Sequence, residues 1–214
     1  MREDKKGIRM YEMSIFNELR SANGFLTIDQ LIELCNAGNI IFDPFSTLIY
    51  KNVKIGFGNV FYPNVIISGT AGNHIKIGSE NIFYSNTIVE ASAGNVVIGS
   101  ENQFGEGGIS IKANRAGSRI EIGDQGRYLG GASVFGVTQL QSGSQILGHI
   151  TVDNCTLESG GSWHEPSSDK RGGLLKGFGI AKNLTIPVGK VINGAGSFNA
   201  NLIEWQSVYH PVKN

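Results

Sequence analysis

The chain has 214 residues, with 18 Lys+Arg against 18 Asp+Glu, a length that suits a single domain. Zero net charge and only 17% charged residues leave no electrostatic footprint for nucleic acid or for an anionic membrane surface. Glycine supplies 30 residues and proline only 5, about twice the average usage of glycine without the proline of collagen or of a stiff linker, so the chain must contain many tight turns.

The N-terminal MREDKKGIRM is charged and is succeeded by neither an apolar run nor a small-residue cleavage site. The expectation is a cytoplasmic chain with no signal peptide and no membrane span. Cys35 and Cys155 stand far apart without metal-like spacing, as free thiols in a reducing compartment do. Between Arg9 and Ser21, the residues Met10, Met13, Phe16 and Leu19 recur every third position with Ile15 beside them, which predicts a helix. Thr27 with Gln30 forms a capping box, Ile28, Leu31, Ile32 and Leu34 form a stripe, and Gly38 ends a second helix. Residues 1–38 therefore read as a helical cap over the open end of the remaining chain.

Beyond the cap the chain repeats itself. VKIG ends at Gly56, IKIG at Gly78, VVIG at Gly99 and IEIG at Gly123, and Asn59, Asn81 and Asn102 occupy one equivalent corner. Large apolar residues step by six: Ile55, Phe61, Ile67; Ile77, Phe83, Val89; Ile98, Phe104. A step of six means a short strand and a turn, and three such steps close a triangular coil. The additional residues of each unit fall in TAGNH (70–74), ASAGN (91–95) and KANRAGS (112–118), predicted to bulge from one stacked corner. Later coils keep the step through Tyr128, Val134, Leu140, Ile146 and Val152, and again through Ile180, Ile186, Ile192 and Phe198. The reading is an all-β solenoid of about seven coils, roughly 34 Å long at one strand spacing per coil.

The tandem Ile/Val-Gly hexads and the closing IPVGKVINGAGSF (Ile186 to Phe198) resemble the hexapeptide-repeat family. That resemblance spans Asn39 to Ala200 and implies a left-handed parallel β-helix with the short N-terminal helical cap. It also implies a homotrimer, because family members place their active sites between subunits. The units expected are thus 1–38 as cap, 39–200 as β-helix with a protruding loop at 159–179, and 201–214 as an aromatic tail that folds back or crosses to a neighbour.

The loop SGGSWHEPSSDKRGGLLKGFG interrupts the coils and holds Trp163, His164, Glu165, Asp169 and Arg171 within nine residues. Polar loops on rigid scaffolds are where chemistry concentrates; such a loop also serves as a connector or an inter-subunit latch. His164 to Arg171, with VINGAGSF downstream, is similar to the His-Pro loop and closing coil of the sugar and serine O-acetyltransferases of this family. Glu165 intervenes where Pro comes directly after His in those enzymes, and the tail lacks their Asn-Pro-Ala-Lys segment. The resemblance implies an acyl-CoA-dependent transferase, acetyl-CoA being the expected co-substrate, acting on a hydroxyl or amine of a small polar acceptor. His164 would be the general base, with Glu165 or Asp169 fixing its tautomer and Arg171, Lys176 or Lys182 meeting coenzyme A phosphates. Trp163, Tyr84 and Asn86 are candidate acceptor contacts; Tyr62 and Tyr84, with Asn64 and Asn86, otherwise form an exposed ladder that stabilises the face.

Two further resemblances compete. GHITVDNCTL (Gly148 to Leu157) is similar to a segment of the γ-class carbonic anhydrases, but Asp153 and Asn154 stand where a second zinc-binding histidine belongs. No metal is therefore expected. AGNVVIGSENQFGEGGISI (Ala93 to Ile111) is similar to a coil of the small β-helical dynactin subunits, which implies a non-catalytic scaffold.

Overall fold

The computed structural model describes residues 4–210, and side chains from residue 13 onward; the side chain of Met10 in the first predicted helix and the last four tail residues lie outside what is described. Helix α1 (Asp4–Ala22) and helix α2 (Ile28–Asn36) form the cap. The capping box is made in both directions: Gln30 N donates to Thr27 Oγ1 at 3.2 Å, and Thr27 N donates to Gln30 Oε1 at 3.0 Å. Leu31 seals the first coil and is fully buried.

Ile28 is buried beside it and Leu34 packs against the same core, but other parts of the expected apolar packing do not form. Ile15, Phe16 and Leu19 are exposed, as is Ile32 on α2. Helix α1 is held instead by polar anchors. Arg20 donates to the carbonyls of Leu26, Pro44 and Thr47, and Asn17 accepts from Ile28 N at 2.9 Å while donating to Asp29. Three carbonyls compensate a guanidinium that burial would otherwise penalise.

From Ile40 onward the chain winds through three faces. The first face contains Ile40–Ile41, Val60–Phe61, Ile82–Phe83, Gln103–Gly105, Arg127–Leu129 and Gln145–Leu147. The second runs from Leu48–Ile49 to Ile150–Asp153, and the third from Lys54–Ile55 to Thr185–Ile186. Strand Leu174–Lys182 passes from the first face to the second without a break, so those two faces form one 15-stranded sheet beside a 7-stranded one. Pairings between successive coils are parallel, and the tail strand Ile203–Trp205 then pairs antiparallel with Lys190–Ile192. The fold is a parallel β-helix with a short helical N-terminus, of seven complete coils and part of an eighth. The three predicted corner loops all lie between the second and third faces. No helix among the described residues is long and apolar enough to cross a membrane.

Inside, the six-residue step produces stacks. Phe61, Phe83, Phe104 and Tyr128 lie ring over ring at 5.0, 5.0 and 5.4 Å and are fully buried. Along the adjoining corner, Asn39, Asn59, Asn81 and Asn102 form a buried ladder. Each Oδ1 accepts both the backbone N–H and the side-chain amide of the asparagine one coil on, as in Asn81 N to Asn59 Oδ1 at 3.0 Å and Asn81 Nδ2 to Asn59 Oδ1 at 2.9 Å. The ladder ends where Gly126 N donates to Asn102 Oδ1 at 2.7 Å. A Cβ at Gly126 would lie 2.1 Å from the Tyr128 hydroxyl, so the phenol takes the asparagine's place and bonds Ser144 Oγ at 3.0 Å.

Ile180 does not point inward as its spacing predicts. Ala181 is in register with Val152 and buried, while Ile180 pairs with Thr151 and is exposed. The reason is a five-residue third side: Val152 to Leu157 and Ala181 to Ile186 each span five residues, and Leu175 is the inward residue that starts the seventh coil, in register with Ile146.

Asn81→Ala would orphan the backbone N–H of Asn102 and the carbonyl of Gly99. At about 1–3 kcal/mol for each unsatisfied buried group, the expected loss is at least about 2 kcal/mol by chemical denaturation. Asn73→Ala, in an exposed corner loop, should stay within about 0.5 kcal/mol of the parent.

Candidate functional site

The interruption spans residues 158–173, shorter than the 159–179 read from sequence, because strand Leu174–Lys182 begins directly after it. That strand crosses the corner between two faces on glycine. Gly177 has φ +114°, and a Cβ there would lie 2.0 Å from Gly194 O, while one at Gly148 would lie 1.9 Å from Gly177 O. Three glycine backbones therefore stack where side chains have no room.

The loop is stitched to the coil rather than free. Gly160 N donates to Ser142 O at 2.9 Å, Gly173 N to Glu158 O at 2.9 Å, and Gly161 N to Lys170 O at 2.8 Å. A single 3-10 turn, Ser168–Lys170, closes it. On this base His164 is exposed, its ring against that of Trp163 with centroids 3.4 Å apart. The Arg127 guanidinium lies 4.8 Å from the Trp163 ring, and Arg127 Nε is buried with no acceptor. Arg127 is a residue that the sequence reading missed, because its strand position has no motif around it.

The two carboxylates expected to orient His164 are used elsewhere. Glu165 Oε1 accepts from Ser167 N at 3.0 Å, and Asp169 Oδ1 accepts from Ser207 N at 2.8 Å. Both are captured by backbone N–H groups, which a short acidic side chain in a turn reaches more readily than a ring pointing into solvent. The Asp169 contact fixes the tail's direction. Instead of leaving the body, the tail folds back over the last coil, and its Gln206 amide donates to Gly172 O at 2.9 Å.

Arg171 and Lys176 remain near this junction. Arg171 Nε donates to Glu165 O at 2.8 Å, and Lys176 Nζ lies 5.9 Å from the Tyr209 ring. Lys182 does not join them: it ends the second face in register with Asp153, at a different corner of the triangle. His210 does join them, although nothing in its spacing marked it. Burial first, then the charges of Arg171 and Lys176, hold its imidazole below the ordinary histidine range.

Tyr84 and Asn86 lie on the third coil, about 15–20 Å from the loop at one strand spacing per coil. The Tyr84 ring stacks on Tyr62 at 5.0 Å, and Tyr62 meets Phe42 at 4.8 Å. On its other side Tyr84 covers Gly105, whose Cβ would come within 2.3 Å of the tyrosine Cβ. With its neighbours occupying both sides, Tyr84 acts in the ladder rather than as an acceptor contact beside His164, and Asn86 turns the corner at φ 66°.

A shallow groove of about 300 Å³ on the third face, lined by Glu121, Gln139, Gln141, Ser142 and Ser159, reaches the loop only at its base. Among the described residues no three His, Cys, Asp or Glu side chains converge to hold a metal. Asp153 is engaged by Arg115 at 2.6 Å. Burial pushes the Cys155 thiol pKa up, which suits a packed core residue. No family model matches the chain, and no curated protein is significantly similar to it.

Asp169→Ala removes the acceptor that holds Ser207 N. Faster hydrogen exchange at Ser207 and its tail neighbours is expected, with the coil amides of the first six turns unchanged, by mass-spectrometric exchange.

Proposed function

We propose that the protein is an acyl-CoA-dependent transferase, with acetyl-CoA as co-substrate, acting on the hydroxyl or amine of a small polar acceptor in the cytoplasm. The observation that carries the reading is a rigidly stitched loop that presents one solvent-open imidazole, His164, beside Trp163 and a guanidinium with an unused buried donor. A neutral imidazole removes the acceptor's proton as its oxygen or nitrogen attacks the thioester carbonyl. The tetrahedral oxyanion then collapses, expelling the coenzyme A thiolate, which takes the proton back from the imidazolium. Arg127 is suitably charged to stabilise the developing oxyanion. The groove on the third face does not include His164; a second copy of the chain supplies the opposite wall of the cleft, and a homotrimer repeats that arrangement three times.

One observation favours a second reading, a scaffold in which the loop is a latch. Asp169, one of the loop's two acids, is spent on the tail rather than on the histidine.

The test is calorimetry with acetyl-CoA and free coenzyme A on the wild-type protein and Arg171→Ala, with mass measured by light scattering. Micromolar binding that weakens in Arg171→Ala is expected. His164→Ala should lower turnover by about 10²–10⁴-fold, the range for loss of a general base, with oligomeric mass and thermal midpoint retained. No coenzyme A binding by a well-folded oligomer would overturn the transferase, and loss of assembly in His164→Ala would favour the latch.

A further inference from the structure

We propose that Arg171, Lys176 and His210 form a binding site for a doubly charged phosphate group, completed by the folded-back tail. The identity of the phosphate's carrier, coenzyme A, rests on the transferase reading; the anion site rests on the groups themselves.

Three separate elements bring them together. The loop supplies Arg171, whose Nε is fixed on Glu165 O while its carbonyl accepts from Gly189 N at 2.7 Å. This sets the guanidinium plane and leaves both terminal nitrogens without an acceptor among the described residues. The strand Leu174–Lys182 supplies Lys176, beneath Tyr209 and without a carboxylate partner among the described residues. The tail supplies His210, whose N donates to Ser207 O at 3.2 Å in the segment tied down by Asp169.

Three carboxylates lie nearby and keep their charge, but each accepts from another donor: Glu165 from Ser167 N, Asp169 from Ser207 N and Glu204 from the Tyr209 hydroxyl. The charges felt by the His210 imidazole are those of Arg171 and Lys176, both of which oppose its protonation. A fixed fork, a point charge and a titrating donor on segments joined by the Lys176–Tyr209 and Asp169–Ser207 contacts suit a phosphate: the guanidinium matches two oxygens, and the ammonium and imidazolium meet the others.

The same geometry sets the sign of the pH dependence. A bound dianion reverses the field at His210 and raises its pKa, so binding takes up a proton. Affinity therefore rises as pH falls through the histidine range, near about 6.5 for an unperturbed ring.

Sulfate is the probe, because it stays doubly charged where phosphate itself titrates. Histidine ring protons are tracked by NMR from pH 5 to 8, with His210 assigned by its absence in His210→Gln. Saturating sulfate, against chloride at matched ionic strength, should raise the His210 midpoint by about 0.5–1 pH unit. The rise should shrink in Arg171→Gln and in Lys176→Gln, both checked for unchanged mass and thermal midpoint. Absence of a sulfate-specific rise would overturn the site, as would a full rise retained in both variants. Coenzyme A should reproduce the effect and pantetheine should not. A response to sulfate with none to coenzyme A would uphold the phosphate site while removing the transferase reading.

Discussion

Coil-to-coil registry is the constraint on which the molecule depends, and the buried asparagine ladder enforces it. A parallel strand pair alone permits slippage, since each apolar residue would meet another apolar residue two positions along. An amide that must satisfy both a backbone N–H and a side-chain amide on the next coil permits one alignment only, because every other leaves several buried polar groups unpaired. The aromatic stack from Phe61 to Tyr128 fills the space this alignment defines. Where the ladder stops at Gly126, the tyrosine hydroxyl takes over the polar role within the same volume.

The candidate site is a consequence of where that registry is interrupted. After the sixth coil the chain leaves the third face for residues 158–173 and re-enters at Leu174, with Leu175 still in register with Ile146. The coils on either side remain hydrogen-bonded, so the loop stands on a base that cannot shift without breaking a sheet. Such a base holds Trp163, His164 and Arg171 in fixed relation, as preorganised chemistry or recognition requires. The tail adds its own residues to that base through one carboxylate and one buried amide.

Charge placement distinguishes this end of the solenoid from the rest. Elsewhere the described ion pairs join cations to carboxylates, Arg119 to Glu121, Lys112 to Glu90 and Arg115 to Asp153. Around Arg171 the acids are consumed by backbone and phenol donors, leaving cations to face one another. Gathering like charges opposes folding, and it is tolerated at the rim of the last coils, where solvent and any incoming anion moderate the repulsion.

Much of the architecture was legible because it is periodic. A six-residue step fixes which side chains face inward, and Phe61, Phe83, Phe104, Val134 and Ile146 are all buried as that step requires; Asn59, Asn81 and Asn102 mark a common corner for the same reason. The step failed at Ile180 because the side that comes after it, Ala181 to Ile186, is one residue short, and local spacing cannot register a change of side length until the partner strand is known. The capping box of the second helix was legible because both of its hydrogen bonds are local. The packing of the first helix was not, since Arg20 finds its carbonyls on Pro44 and Thr47, far along the chain. The same division governs the site. The sequence alone marks Trp163, His164 and Arg171 as an interruption, because a break in a repeat is a local signal. That Asp169 serves the tail, that Tyr84 belongs to a distant ladder, that Lys182 sits at another corner and that His210 returns to Arg171 and Lys176 were decided only in three dimensions. Each depends on contacts between segments that neither period nor motif connects.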